Sequence, residues 1–275
     1  SPRMIAKFED DVRRVAAVIV DDLLAAGPGD FVAQVAARLP LKIICDMMGI
    51  PDDQYEMVMA NTNIILSGAD PEFLGEDLDE AVIRILGAGQ ALGDLVTGLA
   101  AARTQAAADD VVSALATANI DGEQLTSAEL ASFFILLVAA GNETTRTALS
   151  HALVLLTEFP AQRALLLADL DGRIGGAVEE IVRCSSPVVY MRRTLTRDYT
   201  MNGQDYHQGD KAVLYYCSAN RDEAVFADPH RFDVACAPND HLGFGAGGPH
   251  FCLGANLARR EIRTMFEEIF RWLPD

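Results

Sequence analysis

Cys252 is the residue whose surroundings most invite chemistry. It closes the run Phe244-Gly245-Ala246-Gly247-Gly248-Pro249-His250-Phe251 and precedes Leu253-Gly254 at a predicted helix start. Glycines let a backbone turn tightly enough for successive N–H groups to converge on one sulfur. The helix start adds partial positive charge, and both effects favour thiolate over thiol. Gly254 leaves the space beside the sulfur open, as a large flat ligand needs. The plainer alternative is a glycine-rich loop around an inert, buried thiol.

Two further groups stand out. Residues 133–140 are very apolar and give way at once to Gly141-Asn142-Glu143-Thr144-Thr145-Arg146. Gly, Asn and Thr weaken a helix interior, and a Thr hydroxyl there can bond back to the carbonyl one turn earlier. An acid beside a hydroxyl in such a helix fits proton handling in a pocket; a helix merely emerging into solvent is the alternative. Glu180 and Arg183 stand three apart and face the same way. A buried pair of this kind needs more partners, and Arg231 in Asp228-Pro229-His230-Arg231 is a candidate.

These residues need elements to position them. Residues 1–159 read as helix after helix, with breaks at Gly27-Pro28-Gly29, Gly49-Ile50-Pro51, Gly68-Ala69-Asp70-Pro71 and Asp121-Gly122. Thr126 and Glu129 fit a capping box that opens a long helix to about Glu158, stopped by Pro160. Residues 188–196, 199–202 and 212–216 read as short strands, with Asn202-Gly203 a hairpin turn. A last amphipathic helix ends near Leu273. The expected class is mainly α with a small β region.

Composition narrows the function. The 275 residues are 50% hydrophobic and 23% charged, which excludes a disordered chain. A net charge of −18 argues against nucleic-acid binding. Residues 183–263 hold 10 basic and 9 acidic side chains out of 22 and 40, so positive charge gathers, relatively, around Cys252. Five cysteines without a CxxC pair fit a reducing compartment, with neither a disulfide scaffold nor zinc. The longest apolar run, 133–141, is too short for a membrane span, and no signal segment opens the chain. A cytoplasmic protein is expected.

In this order, the motifs resemble those of the cytochrome P450 family of heme-thiolate monooxygenases. Ala140-Gly141-Asn142-Glu143-Thr144-Thr145 is similar to the family's A-G-x-[DE]-T-[TS] motif on its long central helix. Glu180-Ile181-Val182-Arg183 is similar to its E-x-x-R pair, and Arg231 falls where a third structural partner lies. Pro187-Val188 followed by Arg193 resembles the strand whose arginine meets a heme propionate. Residues 244–254 resemble the heme-ligand loop. The resemblance covers essentially the whole chain.

It implies a cytochrome P450 fold lacking its N-terminal part and last β-hairpin, with 1–275 a single, incomplete domain. It implies heme b as cofactor, its iron held by the Cys252 thiolate, which pushes electron density onto the metal. Thr144, assisted by Glu143, would deliver protons to dioxygen. Gly141 would leave room for O₂, and Ala140, Gly245 and Gly254 would lie against the cofactor. Arg193 and His250 would bind propionates, and Phe244 would pack near the sulfur. Leu136, Leu137, Ala140, Val188 and Val189 would line an apolar pocket for a lipophilic substrate.

The ligand loop has one residue more than the commonest family spacing, with Pro249 beside His250. This form, with Gly-Asn-Glu-Thr-Thr-Arg and the Ser218-Ala219-Asn220-Arg221-Asp222-Glu223 run, resembles a bacterial subgroup that includes steroid side-chain oxidases. Electrons would come from a ferredoxin- or flavodoxin-type donor, docked by Arg259, Arg260 and Arg263. A non-catalytic or heme-free fragment with only a binding or structural role is the alternative.

Overall fold

The computed structural model describes residues 9–67, 70, 75, 77–119 and 122–274. The breaks expected at Gly68-Ala69-Asp70-Pro71 and at Asp121-Gly122 fall largely on residues outside these. The chain divides into two compact units, Ser1–Arg146 and Thr147–Asp275.

The first unit is helical. In α1 (Glu9–Ala26) the buried residues Val12, Val15, Ala16, Ile19 and Val20 recur at the spacing of one helix face. A π-helical turn, Val32–Ala36, leads to α2 (Arg38–Met48), which is buried nearly all round and ends at Gly49. Next come α3 (Tyr55–Leu66), α4 (Leu78–Gln105) and α5 (Val111–Thr117). The long helix α6 (Ser127–Glu158) follows. Leu41, Ile44 and Met48 of α2 form one core with Val58, Leu92, Val96, Val112, Phe134 and Val138. By length and composition α4 could cross a bilayer. Its Leu92 and Val96 are buried in this core, and the helix packs against α3 and α5.

The expected capping box opens α6. The Thr126 N–H donates to Glu129 Oε2 at 2.9 Å, and the Glu129 N–H donates to Thr126 Oγ1 at 3.2 Å. Thr126→Ala is therefore expected to cost about 1 kcal/mol, read as a lower thermal midpoint.

In the second unit, α7 (Pro160–Ala168) starts on the proline that stops α6, and α8 (Leu170–Ser185) follows. β1 (Tyr190–Thr194) pairs antiparallel with β4 (Lys211–Tyr215), setting Arg193 opposite Ala212. β2 (Tyr199–Met201) and β3 (Gln204–Tyr206) form the expected hairpin, Asn202 and Gly203 both taking positive φ. After the short α9 (Tyr216–Ala219), an irregular stretch leads to α10 (Ala255–Trp272). α10 packs on α8 and buries Ile262, Met265, Phe266 and Ile269.

The Glu180–Arg183 pair is fully buried. Arg183 gives both carboxylate oxygens a hydrogen bond, from Nε at 2.7 Å and Nη2 at 2.8 Å. Its other donors reach the carbonyls of Asn220 at 2.9 Å, Pro229 at 2.8 Å and Arg231 at 2.7 Å. Arg231 is thus a partner through its backbone, and its exposed side chain adds no cation to the pair. Glu180 also accepts from the Asp233 N–H at 2.8 Å and from Asn239 Nδ2 at 2.9 Å.

Candidate active site

The ligand-type loop is turned by its glycines. Gly245 takes φ +85° and its N–H donates to the Leu242 carbonyl at 2.8 Å. Gly243 serves close approach, since a Cβ there would lie 2.5 Å from Val182 Cγ1 of α8. Cys252 is fixed on both sides: its N–H donates to Phe244 O at 3.0 Å, and its carbonyl accepts the Ala255 N–H of α10 at 3.3 Å. The expected convergence of loop N–H groups on the sulfur is not found at three of them. Those of Gly245, Phe251 and Cys252 go to loop carbonyls instead, because a tight loop must first satisfy its own backbone.

Cys252 is the one exposed cysteine of the five, which overturns the inert buried thiol. Burial pushes Cys45 and Cys184 up to about 12, leaving them as unreactive thiols. Phe251 and Leu253 flank Cys252 in the chain and are 47% and 79% exposed, so apolar surface adjoins the cysteine. Nothing lies within 4 Å of a Cβ built on Gly254. Arg193 and His250 are also exposed, Arg193 donating to the neighbouring Arg192 carbonyl at 3.0 Å.

Residues outside the expected set anchor this loop. Asn220 takes the Leu242 N–H on Oδ1 at 2.6 Å, while its carbonyl serves Arg183. Glu179 accepts Arg259 Nε at 2.6 Å, Arg259 Nη2 at 2.8 Å and His241 Nε2 at 3.0 Å. His241 Nδ1 accepts the Gly243 N–H at 3.0 Å, and Arg259 stacks on the Phe244 ring at 4.3 Å. Glu179 was masked in the sequence by its neighbour Glu180, and His241 by its distance from Cys252. Arg259, expected as a docking charge, has its guanidinium engaged in this tether. Arg263 pairs with Glu267 at 2.6 Å.

Burial pushes the Glu179 carboxyl up, but the hydrogen bonds from His241 and Arg259 outweigh it and bring it down to about 2. An unfolded Glu titrates near 4.3, so this carboxylate stabilises the fold fully above that pH and loses its contribution as pH falls through about 2. Wild type is therefore expected to exceed Glu179→Gln in stability at pH 7. Denaturant unfolding across pH should show that gap close between about 4.3 and about 2.

On α6, Leu130, Phe134 and Val138 form a buried stripe that continues through Asn142 and Thr145, 1% and 2% exposed. The polar patch is therefore not a helix end emerging into solvent. Leu136, Ala140 and Thr144 follow one another at i, i+4 on a more open line. Thr144 Oγ1 donates to the Ala140 carbonyl at 2.7 Å. Glu143 is ion-paired with Arg146, whose Nη1 donates to Asn63 Oδ1 of α3 at 3.2 Å. A Cβ on Gly141 would meet the Cδ1 end of the Ile44 side chain, so α2 packs closely against α6 at this glycine.

A mainly helical protein with a cysteine loop feeding its last helix is the class that these features define. The family model "Cytochrome P450" matches residues 99–273, and the chain belongs to that family. A methyl-branched lipid omega-hydroxylase of Mycobacterium tuberculosis is 51% identical over 278 residues, covering 100% of this chain. The chain spans 64% of that relative's length. A steroid C26-monooxygenase of Mycolicibacterium smegmatis is 38% identical over 275 residues, the chain spanning 62% of it. A Mycobacterium marinum cytochrome P450 solved with pseudoionone superposes with a TM-score of 0.96 at 44% identity, covering 100% of this chain and 66% of the other.

The family's cofactor is heme held by a cysteine thiolate. The residues present fit such a group: an exposed soft donor, exposed apolar neighbours on either side of it in the chain, and open space beside Gly254.

Proposed function

We propose that this protein is a heme-thiolate monooxygenase that hydroxylates a methyl-branched lipid. The observation that carries the reading is Cys252, exposed and held by its backbone on both sides, in a chain of the cytochrome P450 family. Overall, one oxygen atom of O₂ enters a C–H bond. The other leaves as water, with two protons and two electrons from a ferredoxin- or flavodoxin-type donor.

Bound heme supplies the iron at which dioxygen is activated. Cys252 would hold that iron through its Sγ thiolate. Arg193 and His250 would hold the propionates, and Phe244, Gly245, Gly254 and Ala140 would lie against the group. Glu143 carries a proton on its carboxylate once it parts from Arg146 and passes it to Thr144 Oγ1. Leu136, Leu137, Val188 and Val189 exclude water from the aliphatic chain. Residues 1–275 are taken as part of one catalytic domain, acting in the cytoplasm.

The relatives' names support a lipid, and the more identical of the two concerns a methyl-branched lipid rather than a steroid. The test is the full-length heme-loaded protein with an electron-transfer pair, ¹⁸O₂, a methyl-branched fatty acid and a side-chain-bearing steroid. One labelled oxygen in the branched acid is the expected result. Label only in the steroid would overturn the substrate class. No labelled product and no spectral response to any lipid would overturn the monooxygenase.

A further inference from the structure

Glu179 and Glu180 are adjacent on α8 but belong to separate networks. Glu180 is enclosed with Arg183, whereas Glu179 reaches the loop before Cys252 by two routes. In the first, His241 donates from Nε2 to Glu179, and its Nδ1 accepts the Gly243 N–H. That acceptance requires a bare Nδ1, so His241 is the neutral Nε2–H tautomer here. In the second, Arg259 gives Glu179 a two-pronged hydrogen bond and sets its guanidinium 4.3 Å above the centre of the Phe244 ring. The Phe244 carbonyl takes the Cys252 N–H. The two routes therefore hold Phe244 from its backbone side and from its ring face.

We propose that Glu179, His241 and Arg259 form a positioning and charge-setting unit for the Phe244–Cys252 loop, which fixes how the sulfur is presented and how readily the metal it holds accepts an electron. This rests on the reading of Cys252 as heme ligand. Arg259 carries +1 and Glu179 −1 while His241 is neutral, so the intact unit adds almost no net charge behind the loop. The two charged members have opposite effects when removed. Arg259→Gln leaves an unopposed carboxylate, which disfavours adding an electron nearby. Glu179→Gln leaves an unopposed guanidinium, which favours it. In a partly buried setting such fields are weakly screened. A merely structural tether would respond alike to both losses.

The experiment uses the full-length heme-loaded protein and measures the heme reduction potential, with the carbon-monoxide spectrum of the reduced form as a check on thiolate ligation. The expected result is a rise in potential for Glu179→Gln and a fall for Arg259→Gln. Arg259→Lys, which keeps the charge and loses the fork, should return most of that fall. If Arg259→Gln takes up no heme, Glu179→Gln against Arg259→Lys carries the test, with a rise only in the first. Shifts of the same sign, or no shift, in proteins that retain the thiolate spectrum would overturn this inference alone. A wild-type protein without that spectrum would overturn the reading of Cys252, and this inference with it.

Discussion

Cys252→Ser is expected to abolish the thiolate-type Soret band of the reduced, carbon-monoxide-bound protein while leaving the apo-fold intact. Serine differs from cysteine by one atom, and the side chain is exposed, so packing changes little and the cost in stability should stay within about 0.5 kcal/mol. The backbone bonds that shape the loop are untouched, since they use the Cys252 N–H and carbonyl. Only the soft anionic donor is lost, and a serine hydroxyl stays protonated at neutral pH. The measurement is paired: apo thermal midpoint and the spectrum after heme loading, both on the full-length protein. An unchanged midpoint with the thiolate band gone assigns the ligand. A thiolate band that persists in Cys252→Ser would sink the assignment, because another cysteine would then have to supply the ligand.

Some of this architecture was legible in the residues, and the reasons differ by element. The capping box at Thr126 and Glu129 and the Asn202-Gly203 hairpin are local, so a few residues decide them before any packing. The glycine turn and helix start around Cys252 were legible because they lie beside it in the chain, and the structure has both, Gly245 at positive φ and α10 opening at Ala255. The tether from Glu179 was not, since it joins residues 179, 241 and 259, and sequence spacing says nothing about which surface charges meet. Arg259 shows the cost of that blindness. As one of three nearby arginines it reads as a docking charge, whereas in the fold it is bound to a carboxylate and stacked on Phe244. Gly141 shows the same for shape: only the fold reveals that Ile44 fills the space beside it.

The largest stability effect is expected at the buried pair. Arg183 is 2% exposed and commits its five N–H donors to Glu180 and to three backbone carbonyls. Arg183→Met removes those donors at once, leaving a carboxylate and the carbonyls of Asn220, Pro229 and Arg231 short of partners in a site without water access. Breaking one side of a buried pair costs about 3–5 kcal/mol, which in a domain of this size lowers the thermal midpoint by on the order of 10 °C. Glu180→Gln should cost less, because an amide keeps an acceptor for the Asp233 N–H while losing the charge that Arg183 faces. Arg183→Lys should fall nearer to Arg183→Met, since three donors on a point charge cannot span four directions. Damage should also reach Cys252. Asn220 receives the Leu242 N–H, and Leu242 in turn receives Gly245, so releasing Asn220 loosens the start of the cysteine loop. The apo-protein should therefore melt earlier, and any surviving folded fraction should hold heme more weakly than wild type at equal temperature. A midpoint for Arg183→Met within about 2 °C of wild type would contradict the assignment of this pair as the hub of the second unit. Loss of stability with undiminished heme retention would confine the hub to the fold and detach it from the loop.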